Sequence, residues 1–364
     1  MSQPKLDNFW HEAYVAERAR LLSVLGEVTT GGLVEGIQHI GATSVPRLSV
    51  GSCIDIGLAI WPFPVTPHLR TLLESLGYSA ISDGEEEAVQ QRFRHASANF
   101  QLFVSEGGSE EWTNHLLIRD YLRDTGAARQ AFATAKQAGI PDTPEYQQIK
   151  ARFFAETLPA AQTWWIDTQG FAPLEAVARE FKDFDRPWYI ASGWAIDLFL
   201  DRVTRVHHDV DIFIARTDQL ALQQHLSQRG WNLMMPYEGQ REPWPPHMFL
   251  EAPRHQVHAY RDGDFIDCLL SDLSNGLWRY RRDPKVVRQL DRAIISSARG
   301  PQFLAPELVL LFKSKNTAAN GRDRPQDQRD FDAVIAHLEP ERRAWLRWAL
   351  VATEPTHPWL EQLM

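Results

Sequence analysis

Residues 190–214 read IASGWAIDLFLDRVTRVHHDVDIFI, and this stretch carries the strongest signal for the fold of the chain. Its last part alternates apolar with polar residues, the apolar ones being Val210, Ile212 and Ile214. Such alternation predicts a strand that buries its apolar face. Asp209 and Asp211 then share the opposite face, about 6.5–7 Å apart along the strand.

Two carboxylates at this spacing repel each other unless a cation lies between them. Mg²⁺ suits such a pair, because it binds carboxylate oxygens and fills its other positions with water and phosphate oxygens. Ser192 and Gly193 open a predicted helix, whose free N–H groups and dipole can hold a triphosphate. Arg205, in the polar turn before the strand, can neutralise phosphate oxygens. These parts together predict a site for phosphoryl or nucleotidyl transfer.

Each part alone has an ordinary explanation, since an isolated Asp-x-Asp is usually solvated surface and a Ser-Gly pair is usually a helix cap. Their combined order resembles the DNA polymerase beta-like nucleotidyltransferase superfamily. Within it, the aminoglycoside nucleotidyltransferase branch carries a similar Gly-Gly-Trp-Ala-Ile-Asp and Thr-Arg-x-His-x-Asp-x-Asp. The resemblance covers roughly residues 170–340. It implies Mg²⁺-dependent transfer of a nucleoside monophosphate, AMP if the donor is ATP, to a hydroxyl of a small aminoglycoside-like acceptor.

The superfamily resemblance also implies a third acidic residue on an adjacent strand. Residues 255–260 and 265–270 form a predicted hairpin, with Asp267 between apolar neighbours in its second strand. An unpaired buried carboxylate is costly there, and a metal or a proton-accepting role resolves that cost. The resemblance assigns Asp267 to general base work, and a metal-ligand role stays open beside it. The alternatives are an outward-facing Asp267, or Asp272 as the acidic residue.

Residues 306–315, PELVLLFKSK, predict an apolar helix that ends in two lysines. Lysines at a helix C-terminus are normally explained by the helix dipole. The following RDRPQDQRDF of residues 322–331 is similar to a Lys…Arg…Lys-Asp-x-x-Asp-Phe tail of uncharacterised nucleotidyltransferases, although Gln326 replaces the lysine before the first Asp. There the lysine would face the triphosphate and the later Asp would orient it. The resemblance therefore assigns Lys313 and Lys315 to nucleotide binding.

The N-terminal half repeats the same pattern in IQHIGATSVP (residues 37–46) and CIDIGLAI (residues 53–60). These segments resemble the GrpB-like nucleotidyltransferase family, over about residues 8–165. Ala42 replaces the usual Ser, residues 51–52 replace a Lys-Pro, and Gly57 stands where a second carboxylate could be. Asp55 alone is poor support for Mg²⁺. We expect a degenerate copy of the fold that is structural or ligand-binding.

The length of 364 residues predicts two domains, 1–168 and 169–364, divided by a short polar turn at residues 167–170. The expected fold class is α/β (α+β), with two tandem nucleotidyltransferase-fold domains, each a small mixed sheet flanked by helices. Helical periodicity is predicted for residues 7–26, 109–124, 127–138, 144–156 and 173–184. Residues 305–363 are predicted to add a C-terminal cap of three or four helices.

The net charge of −9 argues against an extended nucleic-acid surface. Two distant cysteines, Cys53 and Cys268, and no signal peptide or apolar run of eighteen predict a cytoplasmic protein without membrane contact. Two other functions stay open: nucleotidylation of a protein or tRNA, as in toxin-like relatives, and a non-catalytic nucleotide-binding or scaffold protein. The intact acidic residues favour the enzyme, while the acceptor, the base and the oligomeric state stay open.

Overall fold

The computed structural model describes residues 3–29, 34–48, 53–81, 89–139, 143–238, 240–261, 264–315 and 325–364. The chain divides into two units, Met1–Thr168 with Tyr237–Pro243, and Gln169–Pro236 with Trp244–Met364. Residues 51–52, which replace the Lys-Pro of the family, residues 262–263 of the predicted hairpin turn, and residues 322–324 of the tail motif lie outside the described residues. In the part of the chain that is described, no helix is long and apolar enough to cross a membrane.

The first unit is a mixed sheet with helices on both faces. Its strands are Val34–Ile40 (β1), Ile54–Ile60 (β2), Tyr78–Ala80 (β3), Gln90–His95 (β4) and Phe100–Glu106 (β5). Its helices are Gln3–Thr29 (α1), Pro67–Ser75 (α2), Glu110–Asp124 (α3), Gly126–Gln137 (α4) and Pro144–Gln169 (α5). The strand order is β1-β2-β5-β4-β3, with β2 and β5 parallel and β2 antiparallel to β1.

Alternation along β2 decides which face of this sheet is core. Ile54, Ile56, Leu58 and Ile60 are buried, and they belong to one apolar cluster with residues of α1 and α2. The other residues of β2 face α3, where Trp112 packs on Gly57 so closely that a Cβ there would lie 3.0 Å from its ring. Gly57 is thus explained by the packing of a helix on the sheet.

The second unit begins with Ala172–Glu180 (α6), Trp188–Ile190 (β6), Ser192–Leu200 (α7), Val210–Ala215 (β7) and Gln219–Ser227 (α8). Its further strands are Asn232–Tyr237 (β8), Gln256–Arg261 (β10), Asp264–Ser271 (β11), Leu273–Ser274 (β12), Leu277–Arg279 (β13), Val287–Gln289 (β14), Ile294–Ser296 (β15) and Gln302–Leu304 (β16). Strand Gln240–Pro243 belongs to the first unit and is numbered β9 by its place in the chain. The central strands lie in the order β16-β6-β7-β11-β10-β8, with β7 and β11 parallel. The predicted hairpin is the antiparallel pair β10–β11.

The chain ends in helices Leu290–Ala293 (α9), Pro306–Lys313 (α10), Pro325–Ile335 (α11), Pro340–Thr353 (α12) and Trp359–Gln362 (α13). Helices α10 and α11 both pack against α7. The predicted fold class, two mixed α/β regions with a C-terminal helical part, is confirmed. Two local predictions are wrong: α5 continues past Pro159 to Gln169, which leaves only Gly170 and Phe171 between it and α6, and α10 ends at Lys313, so Lys315 lies beyond it.

Candidate active site

Asp209 and Asp211 lie at the start of β7, where Asp209 precedes the strand and Asp211 is its second residue. The indole Nε1 of Trp194, a fully buried residue of α7, donates a hydrogen bond to the Asp209 carbonyl over 2.8 Å. Burial and the neighbouring Asp209 charge raise the pKa of Asp211 to about 7, against a lowering by the Ser192 hydroxyl, Lys313 and Arg205. The two carboxylates therefore repel each other, and cationic side chains face the pair.

The turn into α7 brings a helix N-terminus to the same place. Ser192 has a φ of 53°, a left-handed backbone conformation that residues other than glycine, Asn and Asp rarely adopt. Its hydroxyl donates to the Asp211 carboxylate, and the Ala191 N–H donates to the Asp211 carbonyl over 2.9 Å. The strained turn thus fixes the start of α7 against β7, with the first N–H groups of the helix beside the carboxylates.

Gly193 is required by close packing rather than by its φ. A Cβ at this position would overlap Nη2 of Arg205 and lie 2.6 Å from Cε1 of His207. Arg205 could move, but the His207 ring stacks on Trp194 at 4.2 Å and cannot move cheaply. The absence of a side chain at Gly193 therefore lets the Arg205 guanidinium lie against the helix N-terminus.

Asp197 holds the loop that carries Arg205 and leads into Asp209. It is fully buried in α7, and its Oδ1 accepts from the Thr204 N–H at 3.1 Å and the Thr204 hydroxyl at 2.6 Å. Its Oδ2 lies 2.7 Å from Nε2 of His207. Burial raises the pKa of Asp197 to about 7, only partly offset by the Thr204 hydrogen bonds. Asp197 is a positioning residue that the sequence reasoning missed, although an acid between Ile196 and Leu198 in an apolar helix signals a buried carboxylate.

Lys313 belongs to a buried ionic network at the end of α10. Its ammonium lies 2.6 Å from Asp327 Oδ1 and 2.8 Å from Asp330 Oδ2, both on α11. Asp330 also accepts from Arg205 Nε at 3.3 Å. Burial opposes the charge of Asp330, but Lys313 and Arg205 outweigh it and lower the pKa of that carboxyl. Two acids on α11 therefore orient the two cations that face Asp211.

Asp267 lies directly beside Asp211, because β11 is parallel to β7 and pairs these two residues in register. Residues paired in this way lie on the same face of the sheet. Asp267 is 7% exposed, accepts a hydrogen bond from the Gln256 amide, and has Nε2 of His258 at 3.9 Å from Oδ1. The outward-facing alternative does not fit this placement. Its role as base or metal ligand stays a prediction.

Two other sequence candidates are not brought to this place. Asp272 is exposed and forms an ion pair with Arg216 at 2.7 Å, so its carboxylate is engaged at the protein surface. Lys315 is half-buried beyond the end of α10, and among the described residues none pairs with its ammonium. The assignment of Lys315 to nucleotide binding has no geometric support from the described residues.

The donor set fits Mg²⁺ as a two-carboxylate site. Among the residues that the structure describes, no group of three or more His, Cys, Asp or Glu side chains is close enough to hold a metal ion. The negative charge of Asp209 nevertheless makes the ionisation of Asp211 less favourable. A divalent cation between the two carboxylates would remove this repulsion. Mg²⁺ commonly takes only one or two carboxylates and completes its shell with water and phosphate oxygens.

Comparison with known families divides the chain in the same way. Residues 4–159 match the family model described as GrpB protein, and residues 173–295 match the model described as aminoglycoside-2''-adenylyltransferase. The chain thus carries, in tandem, a GrpB-like region and an aminoglycoside-adenylyltransferase-like region. This confirms the tandem predicted from the sequence, and it gives the second region a general likeness to nucleotidyltransferases.

The curated relatives match the first region. UPF0157 protein SCO7215 of Streptomyces coelicolor is 28% identical over 132 residues, 36% of this chain and 66% of that protein. UPF0157 protein YqkA of Bacillus subtilis is 26% identical over 162 residues, 43% of this chain and 45% of that protein. The chain thus spans less than two thirds of the length of these relatives.

Solved structures resemble the regions only weakly. The antibiotic-resistance factor ANT(2'')-Ia in solution is 16% identical, covering 54% of this chain and 97% of that one, at a TM-score of 0.38. GrpB from Enterococcus faecalis is 25% identical, covering 42% of this chain and 93% of that one, at a TM-score of 0.35. Likenesses at these scores assign no function, so the tandem rests on the family models.

Proposed function

We propose that the second unit is a Mg²⁺-dependent nucleotidyltransferase, which transfers AMP from ATP to a hydroxyl of a small aminoglycoside-like acceptor. The supporting observation is the carboxylate pair Asp209–Asp211 at a helix N-terminus, with Asp267 in register beside it. The match of residues 173–295 to the aminoglycoside-2''-adenylyltransferase model supports the same reaction class. ATP is proposed as donor because adenylyl is the group that the family name specifies.

Asp209 and Asp211 would hold Mg²⁺ through their carboxylates. When bound, the ion supplies positive charge against the triphosphate oxygens and the leaving pyrophosphate. Ionisation of Asp211 is then favoured, since the charge that opposes it is compensated. The Ser192 hydroxyl and the Trp194 bond to the Asp209 backbone keep both acids in place.

The phosphates would be bound by the start of α7 and by two cations. The free N–H groups and the dipole of α7 favour an anion at its N-terminus. Lys313 has three N–H donors, of which Asp327 and Asp330 engage two, so one remains for a phosphate oxygen. Nη2 of Arg205 lies against Gly193 at the helix start. These groups neutralise charge that grows on the phosphate oxygens during transfer.

Asp267 would accept the proton of the acceptor hydroxyl. The hydroxyl oxygen forms a bond to the α-phosphorus, the bond from this phosphorus to the bridging oxygen breaks, and pyrophosphate leaves. The hydrogen bond from the Gln256 amide orients the Asp267 carboxylate, and the His258 ring lies nearby at 3.9 Å. Most of the catalytic effect in this scheme is positioning and charge neutralisation.

A mass-spectrometric assay tests this proposal. The full chain is incubated with Mg²⁺, each of the four NTPs and a panel of aminoglycosides, and products and pyrophosphate are measured. We expect one acceptor to gain a nucleoside monophosphate, and Asp209→Asn to abolish this while the surface control Asp272→Asn retains it. Nucleotide attached only to protein or tRNA would favour the toxin-like alternative. NTP binding without any transfer would favour the non-catalytic one.

A further inference from the structure

The first unit contains a cavity of about 340 Å³ between its sheet and helices α3, α4 and α5. Three cationic side chains line it, Arg92 from β4, Lys136 from α4 and Lys150 from α5. Its apolar wall consists of Phe103, Phe132 and Phe154. A volume of this size lies at the small end of the usual range for ligand sites.

The cavity occupies the place of the active site in the second unit. Gly41 follows β1 with a φ of 68° and lies against Asp55, so that a Cβ there would be 2.9 Å from the carboxylate carbon. Ser192 meets Asp211 in the same manner after β6. Asp55 is therefore the counterpart of Asp211.

The strand register then identifies the other two positions. Asp55 pairs with Gln101 across the parallel strands β2 and β5, as Asp211 pairs with Asp267. Gln101 thus replaces the predicted base. By this correspondence Cys53, two residues before Asp55, stands at the position of Asp209, whereas the sequence alone suggested Gly57 as the position of the missing carboxylate. One acid remains where the second unit has three.

Lys136 lines the same cavity as Asp55 and interacts electrostatically with it. Burial and Lys150 lower the pKa of Lys136, while Asp55 and Cys53 raise it, with a result of about 8. Lys136 is therefore charged at neutral pH, and Asp55 is close enough to stabilise that charge. The protein's own cation makes a divalent ion unnecessary at this position.

The charged side chains of the described lining residues favour an anionic ligand. Arg92, Lys136 and Lys150 carry three positive charges, and Asp55 carries one negative charge. Burial lowers the pKa of His115 to about 4, so this ring is neutral at pH 7. This excess of cationic over acidic side chains in the described lining favours an anionic group such as a phosphate monoester, which carries about −1.5 to −2 at neutral pH.

We propose that the first unit binds, without a divalent metal, a phosphate monoester that carries a planar ring, such as a nucleoside monophosphate. Lys136, Lys150 and Arg92 bind the phosphate, and the phenylalanines pack on the ring, as aromatic side chains do with planar ligands. The missing second carboxylate and base leave binding without transfer. This site is separate from the function proposed for the second unit.

Calorimetry on the full chain with Asp209→Asn tests the proposal, in the presence of a chelator that removes divalent ions. The probes are AMP and phenyl phosphate, with adenosine and inorganic phosphate as partial ligands. We expect both monoesters to bind, and both partial ligands to bind at least roughly tenfold more weakly, since each lacks one half of the contacts. Absence of binding by both monoesters at millimolar concentration overturns the proposal, and so does equal binding of inorganic phosphate.

Variants of one lysine locate the site. Lys136→Met should weaken AMP binding by roughly tenfold to a hundredfold, the usual effect of one charged hydrogen bond, and Lys136→Arg should restore part of it. Arg152→Gln is the matched control, because Arg152 lies two residues from Lys150 on α5 but is exposed and paired with Glu156. Unchanged affinity in Lys136→Met, or an equal loss in Arg152→Gln, would place AMP elsewhere. Partial recovery by Lys136→Arg separates loss of charge from loss of fold.

Discussion

Replacing Asp211 by Asn should stabilise the metal-free protein while abolishing its response to Mg²⁺. The pKa of Asp211 is raised from 3.8 to about 7 by burial and by Asp209. At about 1.4 kcal/mol per pKa unit, ionising this group in the folded protein costs at most roughly 4 kcal/mol. Asn also loses the attraction of Lys313 and Arg205, so we expect a net gain of about 1–2 kcal/mol, or roughly 2–8 °C in Tm.

The pH dependence has a definite sign. Below about pH 4 the carboxyl is protonated in both folded and unfolded chains, and the wild-type Asp211 costs nothing there. Between about pH 4 and 7 the unfolded chain ionises while the folded one resists, so the cost grows with pH. Above pH 7 it is complete, since the folded carboxyl has then ionised too. The stability difference between variant and wild type should therefore increase from acid pH to about pH 8 and then level off.

Thermal unfolding near neutral and at acid pH, with chelator or with millimolar Mg²⁺ and ATP, measures both effects. The wild type should gain stability from Mg²⁺ with ATP, whereas Asp211→Asn should not. Asp272→Asn is the control, because its exposed ion pair with Arg216 contributes little and lies outside the site. A destabilised Asp211→Asn at about pH 8, or one that keeps the full response to Mg²⁺ with ATP, would refute the assignment of this pair as a metal site.

Three further variants examine the rest of the site, and a fourth test examines the first unit. Asp267→Asn should retain NTP binding and lose roughly 10²–10⁴-fold in transfer rate, measured by product formation, whereas an equal loss of NTP affinity would make it a metal ligand. Lys313→Met should weaken ATP binding about tenfold or more by calorimetry, and it should lower Tm because Asp327 and Asp330 stay buried without their cationic partner. Normal ATP binding by this variant would show that Lys313 does not contact the phosphates. Gly193→Ala should impair ATP binding by displacing Arg205 or His207, and normal binding would show that the cleft tolerates a Cβ. In the full chain with Asp209→Asn, adding Mg²⁺ to a sample that contains ATP should raise the stability by less than about 1 kcal/mol, because the first unit retains one of three acids. A larger Mg²⁺-dependent thermal shift would contradict this.

The sequence predicts those features that depend on short periodic patterns. Alternation along residues 209–214 indicates β7, and the observed strand Val210–Ala215 buries Val210, Ile212 and Ile214. The order of turn, helix and acidic strand places Ser192 beside Asp211 because each connection is short. The hairpin prediction brings Asp267 to the sheet, although only the observed register shows that it pairs with Asp211.

Features that depend on tertiary packing could not be predicted in this way. Pro159 is a typical helix breaker, and the predicted helix stops at residue 156, yet α5 continues to Gln169 because residues beyond the proline, such as Ala161, are buried. The two lysines after residue 312 look equivalent in the sequence. The end of α10 at Lys313 separates them, so that one enters the buried network with α11 and the other does not.

The two units show why a strand motif alone does not decide activity. Both present a carboxylate beside a residue of positive φ after the first strand, and both pair that carboxylate with a neighbour on a parallel strand. In the second unit the neighbour is acidic, and a further acid lies two residues earlier, so negative charge accumulates until a cation relieves it. In the first unit the same positions hold Gln101 and Cys53, and a lysine supplies the compensating charge. On the two proposals, the second unit would therefore bind a cation together with the phosphate groups of its nucleotide, whereas the first would bind an anion alone.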